Sequence, residues 1–120
     1  MASPTSRSLD LARSQGWTAG VVEKWNMHAR IRQDLFGVID IVALDDQPGV
    51  LAIQACAGSG ASARLKKSLA EPRLKIWLER GSRFEVWAWA KRGPRGKAKR
   101  WSVRKVIVSV VNDEMVTQET

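Results

Sequence analysis

Two short apolar stretches near the middle of the chain each contain one polar residue that would face a core. Residues 38–44 contain Asp40, and residues 50–56 contain Gln54. A turn-like segment of Asp, Gln, Pro and Gly joins them, so both stretches are predicted to be buried strands. A carboxylate inside such a strand is unfavourable unless a charge or a hydrogen bond meets it. We therefore expect a polar pocket at one end of the sheet, and the site of function there.

The remaining pattern predicts one α/β domain over residues 1–120. The predicted elements, in chain order, are a helix between residues 3 and 16, a strand at 18–25, the two strands above, a helix that follows residues 57–60 and continues past Pro72 to Gly81, and strands at 83–90 and 101–111. This order, α-β-β-β-α-β-β, favours one mixed sheet flanked by helices. Residues 26–33 are predicted to be a loop, and the tail at 112–120 to be frayed.

The net charge of +8 lies entirely in residues 91–105, because the other twelve basic residues balance the twelve acidic ones. Glycines and a proline at 93–96 predict that this stretch is the exposed loop of a hairpin. Concentrated positive charge is typical of a surface that binds a polyanion, and nucleic acid is the leading candidate. The alternative is a hairpin tip that charge merely keeps solvated. The basic residues are Lys91, Arg92, Arg95, Lys97, Lys99, Arg100, Arg104 and Lys105.

Several other classes of protein are disfavoured. No segment has the roughly 18–20 apolar residues that span a bilayer, so no membrane association is expected. Cys56 is the only cysteine, which excludes an intrachain disulfide and fits a reducing cytoplasm. His28 is the only histidine, so a His-based triad or zinc site has little support. Trp87 and Trp89 alternate with apolar residues; they could stack on unpaired bases, but burial under a helix or a dimer partner is favoured.

Asp40 and Gln54 would converge if their strands pair in a suitable register, with the carbonyl of Ala55 close by. Carboxylate, amide and carbonyl oxygens suit a hard cation such as Mg²⁺. Such an ion polarises a phosphodiester and lowers the pKa of an attacking water. In the alternative interpretation, Asp40 caps a neighbouring loop and Gln54 satisfies backbone groups. The spacing alone does not choose between them.

Residues 37–43, Gly-Val-Ile-Asp-Ile-Val-Ala, and residues 50–56, Val-Leu-Ala-Ile-Gln-Ala-Cys, resemble the core of the PD-(D/E)XK nuclease superfamily. The likeness is to its small archaeal Holliday-junction-resolvase-like and phage endonucleases, and it covers about residues 5–90. It implies a restriction-endonuclease-like fold and Mg²⁺- or Mn²⁺-dependent cleavage of DNA, including branched DNA. By this resemblance, Asp40 stands at the first metal-binding aspartate, Gln54 at the (D/E) position and Cys56 at the lysine position.

Two of these positions depart from the pattern of the superfamily. Gln54 is a neutral and weaker ligand. Cys56 cannot supply the positive charge of a lysine, because a thiol is neutral near pH 7. Lys66 or Lys67 on the following helix, or Lys24 at the end of the first strand, would have to supply that charge, and Lys67 is our candidate.

The resemblance also implies a further acid near the first helix or strand, and three residues compete for this role. We favour Glu23, because a strand-end acid would be held by a rigid element. Asp34 is nearly as good, and Asp10 is the third candidate. The expected metal ligands are thus Asp40, Gln54 and Glu23.

The sequence leaves three functional hypotheses. The first is a cytoplasmic Mg²⁺-dependent DNA endonuclease; by analogy with resolvase-like proteins it would be a homodimer, since two nicks need two sites. The second is a non-catalytic nucleic-acid-binding module with a degenerate site. The third, binding of an acidic protein partner, needs only the basic stretch and leaves Asp40 unexplained.

Overall fold

In the computed structural model, residues 2–93 and 100–120 are described, apart from the side chain of Arg32. These described residues form a mixed six-stranded sheet, a separate two-stranded sheet and three α-helices. The elements are α1 (Pro4–Ser14), β1 (Thr18–Val21), β2 (Lys24–Asn26), β3 (Ile31–Gln33), β4 (Ile41–Leu44), β5 (Leu51–Ala57), α2 (Ala61–Leu69), α3 (Pro72–Glu79), β6 (Arg83–Arg92), β7 (Arg100–Val111) and β8 (Glu114–Glu119). None of the helices in this described part is long and apolar enough to cross a membrane.

The large sheet has the strand order β1-β4-β5-β6-β7-β8. The pair β5–β6 is parallel, and the other neighbouring strands are antiparallel. Parallel neighbours need a long connection, and here a short 3₁₀ turn, α2 and α3 provide it. The helix α1 contacts β1, β4, β5 and β6, whereas α2 and α3 contact β5, β6 and β7. The predicted α/β architecture, a mixed sheet flanked by helices, is confirmed.

Alternation along the strands divides the core between the two faces of the sheet. The α1 face buries Ile41, Ile53 and Trp87, and the opposite face buries Ala52, Phe84 and Val86 together with residues of α2 and α3.

The two tryptophans of β6 lie on the α1 face. Trp87 is completely buried, and the Nε1 of Trp89 donates a 2.8 Å hydrogen bond to the Oγ of buried Ser8 in α1. The prediction that both tryptophans are buried is confirmed, and stacking of bases on them is excluded.

The predicted strand at 18–25 and the predicted loop at 26–33 are both wrong in detail. The strand breaks after Val21, and β2, which begins in the last two residues of the predicted strand, forms a separate antiparallel hairpin with β3 from the expected loop. The Oδ1 of Asn26 accepts hydrogen bonds of 3.0 Å from the backbone N–H groups of His28 and Ala29, which closes the turn between them. Asparagine side chains commonly stabilise turns in this way.

The prediction of a frayed tail at 112–120 is also wrong, because β8 pairs with β7 over six residues. The turn between them places Asn112 and Asp113 at φ values of +52° and +67°. Asn and Asp tolerate this left-handed conformation, which tight hairpins require.

Candidate metal centre

The pairing of β4 with β5 brings Asp40 and Gln54 together. Ile41 lies opposite Ile53 in the ladder, and Asp40 directly precedes Ile41. The backbone N–H of Asp40 donates to the carbonyl of Ile53 at 3.0 Å, and the Nε2 of Gln54 donates to the Oδ2 of Asp40 at 2.8 Å. The expected convergence of these two side chains is therefore confirmed.

The local hydrogen bonds of this pair are incomplete. The backbone N–H of Ala55 donates to the Oδ2 of Asp40 at 2.8 Å, so Ala55 contacts Asp40 through its N–H, whereas the sequence pointed to its carbonyl. Gln54 is 1% exposed, and its Oε1 has no hydrogen-bond partner among the described residues. Buried polar atoms are rarely left unpaired in native proteins. This oxygen therefore needs a cation or a donor.

Two further carboxylates lie beside Asp40. One carboxylate oxygen from each of Glu23, Asp34 and Asp40 lies within 4.8 Å of the others. The break between β1 and β2 positions Glu23, because the N–H of Val22 donates to the carbonyl of Asp40 at 2.8 Å. Asp34 follows β3, and Asp10 is exposed on α1, outside this group. The fold thus brings both favoured acids to Asp40, and the three carboxylates form a cluster that can bind a metal ion.

The pKa of Asp40 is raised to about 8, and burial is the largest cause. The hydrogen bond with Asp34 comes next, and the negative charges of Asp34 and Glu23 raise the pKa further. The hydrogen bond from the N–H of Ala55 acts in the opposite direction. Desolvation and like charges both disfavour a second and third anion. A cation that binds here would relieve this repulsion.

The acids share a cavity of about 690 Å³ with several cationic side chains. Arg64 and Lys67 come from α2, and their spacing of three places them on one face of the helix. Arg73 comes from the start of α3. Gln54, Ala55, Thr5 and Phe36 also line the cavity. Three carboxylates that could hold a metal ion and three cationic side chains therefore line one cavity.

Some of the predicted catalytic residues line the cavity and others do not. Lys67 lines the cavity, whereas Lys24 and Lys66 do not. Cys56 is 5% exposed and lies in the core, where burial raises the pKa of its thiol. It is therefore not brought to the centre, because its side chain packs in the hydrophobic cluster below α2.

Arg64 and Arg73 were missed by the sequence reasoning. The positive charge of Arg64 acts on Cys56, as do the charges of Asp40 and Arg104. The spacing from Arg64 to Lys67 was a usable signal for the first residue. Nothing local pointed to Arg73, which the fold brings from a second helix.

The basic stretch at 91–105 is only partly available to a ligand. Lys91, Arg92 and Arg100 are exposed, whereas Arg104 forms an ion pair with Glu119 of β8. The Nζ of Lys105 lies 4.2 Å from the ring centroid of Trp87. Arg95, Lys97 and Lys99, which were predicted to contact nucleic acid, lie outside the described residues.

Comparisons of the chain with protein families, with curated proteins and with solved structures found no match. The superfamily indicated by residues 37–43 and 50–56 therefore remains a resemblance. The fold and the site define a class: an α/β protein in which three carboxylates that could hold a metal ion cluster beside the central sheet.

Proposed function

We propose that this protein is a Mg²⁺-dependent DNA endonuclease that hydrolyses phosphodiester bonds, including those of branched or structured DNA, and that Mn²⁺ can replace Mg²⁺. One observation carries this proposal: the carboxylates of Glu23, Asp34 and Asp40 share a cavity with Arg64 and Lys67. Phosphodiester hydrolysis needs these two kinds of group close together, acids for the metal ion and cations for the phosphate.

The ligand atoms fit a hard divalent cation. Carboxylate and amide oxygens are the protein ligands that Mg²⁺ and Mn²⁺ prefer. Asp40, Asp34 and Glu23 would hold the ion, whereas the amide of Gln54 turns its Nε2, a donor, towards Asp40 and Asp34 at 2.8 and 3.4 Å. When bound, the ion would polarise the phosphodiester and lower the pKa of the attacking water.

The other residues of the cavity have separate tasks. Arg64 and Lys67 bind phosphate oxygens and offset the negative charge that grows on them during hydrolysis. They supply the charge that Cys56 lacks. The hydrogen bonds from Gln54 and Ala55 hold the Asp40 carboxyl in place. Thus the metal ligands stand on strand ends and loops of the sheet, and the phosphate-binding cations stand on the helices above it.

The exposed basic residues at the ends of β6 and β7 support DNA as the partner. Lys91, Arg92 and Arg100 extend the positive charge away from the cavity, and phosphate contacts of this kind supply affinity without regard to sequence. A homodimer with two such sites would cut both strands of a junction.

The proposal is tested by cleavage assays on supercoiled, single-stranded and four-way-junction DNA. Each substrate is incubated with Mg²⁺, with Mn²⁺ and with a chelator. We expect cleavage only with a divalent ion, its loss in Asp40→Ala, and nearly unchanged DNA affinity in that variant. Asp10→Ala is the matched control, since Asp10 is an exposed acid outside the cluster. Equal loss of cleavage in both variants, or cleavage in the chelator, would contradict the proposal.

A second candidate is a non-catalytic DNA-binding module. It is favoured by the hydrogen bond from Gln54 to Asp40, which partly satisfies the carboxyl without any ion. Binding would then be indifferent to Mg²⁺ and would weaken steeply with salt. Binding without cleavage in every condition above would select this candidate over the nuclease.

A further inference from the structure

We infer that an apolar cavity beside the candidate metal centre binds an unpaired base of the DNA strand whose phosphate lies at that centre. The inference rests on the proposed function and names its substrate class: DNA with an unpaired base at the cleavage site. The cavity has a volume of about 320 Å³ and is lined by Phe36, Ile76, Trp77, Arg73, Arg80 and Ser82. Pockets for small ligands have volumes of about 300–1,000 Å³, so this one suits a single flat group.

The aromatic wall of this cavity is fixed by contacts within the protein. The rings of Phe36 and Trp77 meet nearly edge to face, with centroids 6.4 Å apart. The Nε1 of Trp77 donates to the carbonyl of Arg83 at 2.9 Å, which holds the indole in one orientation. A ligand that stacks on these rings would therefore lose little affinity to side-chain ordering.

The loop that presents Phe36 is held in an unusual conformation. Phe36 has a φ of +54°, which is uncommon for a non-glycine residue. The Nη2 of Arg73 donates to the carbonyl of Phe36 at 3.2 Å, and its guanidinium lies 5.3 Å from the centroid of the ring. Arg73 thus fixes both the backbone and the ring of Phe36.

Phe36 and Arg73 also line the larger cavity that holds the carboxylate cluster. The two cavities are therefore neighbours that share a wall. Our inference therefore assigns a phosphate of the strand to Arg64 and Lys67 and its neighbouring base to the apolar cavity.

Charge and chemistry select a nucleobase as the occupant. Arg80 and Arg73, whose guanidinium also pairs with Glu71 at 2.7 Å, provide guanidinium groups beside the aromatic rings, and the cavity has no acidic lining residue among those described. Bases stack on aromatic and guanidinium planes with little regard to sequence. A base inside a duplex is already stacked and paired, so only an unpaired or flipped base can enter.

The test measures binding in a chelator, so that no hydrolysis takes place and failure of the nuclease proposal is scored separately. Two DNA duplexes carry 2-aminopurine at the same position, once in a bulge and once paired. We expect the full chain to bind the bulged DNA about tenfold more tightly, the scale of one stacked base, and to quench its fluorescence.

Variants of the cavity locate the effect. Phe36→Leu and Ile76→Ser should each lower affinity for bulged DNA about five- to tenfold and leave affinity for paired DNA within about twofold. Val111→Ser is the control for Ile76→Ser, because both residues are 52% exposed; it should change neither affinity. If Phe36→Leu fails to fold, the affinities of Ile76→Ser for bulged and paired DNA provide the test. Equal binding of the two DNAs by the wild type, or equal weakening of both DNAs by the cavity variants, would overturn the inference.

Discussion

The two ends of β4 each carry a buried carboxyl group, and the surroundings of the two groups are opposite. Asp45 follows the strand; its side chain is 4% exposed and accepts hydrogen bonds of 2.9 and 2.5 Å from the guanidinium of Arg83. This pairing lowers the pKa of Asp45. Asp40 precedes the strand and is buried as a whole residue, but its hydrogen-bond donors are the neutral groups of Gln54 and Ala55. Its pKa is raised to about 8.

The difference separates a carboxyl paired within the protein from one that we propose to be functional. The same residue type is neutralised by an arginine at one end of the strand and grouped with two further acids at the other. Strongly perturbed acids in a cavity are typical of functional sites. Asp45 and Arg83 join the end of β4 to the start of β6, whereas our proposal assigns Asp40 to a metal ion.

The largest effect on stability is expected at the ion pair of Asp45 with Arg83. Arg83→Gln would leave the Asp45 carboxyl without its charged partner, and breaking such a pair should lower the free energy of unfolding by about 3 kcal/mol. Chemical denaturation of this variant and of Arg80→Gln provides the measurement and its control, since Arg80 is an exposed arginine of the same region. Similar small losses in both variants would remove the distinction between the two ends of β4.

Mg²⁺ should stabilise the folded protein only through Asp40, at the other end of β4. A saturating concentration, about 100 times the dissociation constant, should raise the free energy of unfolding of the wild type by about 2.7 kcal/mol. Asp40→Asn should abolish this gain, and Asp45→Asn, although less stable, should retain it. Thermal unfolding with and without the ion measures both. A gain that survives in Asp40→Asn would place the ion elsewhere.

The smallest effect is expected in the pH dependence without divalent ions. The pKa of Asp40 lies far above its ordinary value of 3.8, so the folded protein keeps a proton that the unfolded chain loses. Stability should therefore fall as pH rises from about 4 to 8. Asp40→Asn should be more stable than the wild type at pH 8 and indistinguishable from it near pH 4. A variant less stable than the wild type at pH 8 would contradict the raised pKa.

The meeting of Asp40 with Gln54 was predictable because it depends on local rules. Two apolar strands joined by a five-residue turn have few possible registers, and alternation fixes which side chains share a face. Glu23 and Asp34 could be named only as candidates, because their approach to Asp40 depends on the β2–β3 hairpin. Bonds from the Asn26 side chain close that hairpin, and alternation of apolar residues does not reveal them.

Long-range contacts account for the other differences. The sequence locates the positive charge at 91–105 but does not show that Arg104 is paired with Glu119 from a strand that was expected to be frayed. The sequence also does not show that Arg73 extends from α3 to the cavity and to the carbonyl of Phe36. Charge counts along a sequence do not distinguish cations that face solvent from those that internal acids engage.

The most direct test of the metal centre is a crystal soaked with Mn²⁺ and measured for anomalous scattering. We predict one strong peak about 2.0–2.5 Å from carboxylate oxygens of Asp40 and of Asp34 or Glu23. This peak should be absent from crystals of Asp40→Asn. A peak at another acidic position, or none in the cavity at saturating Mn²⁺, would contradict it.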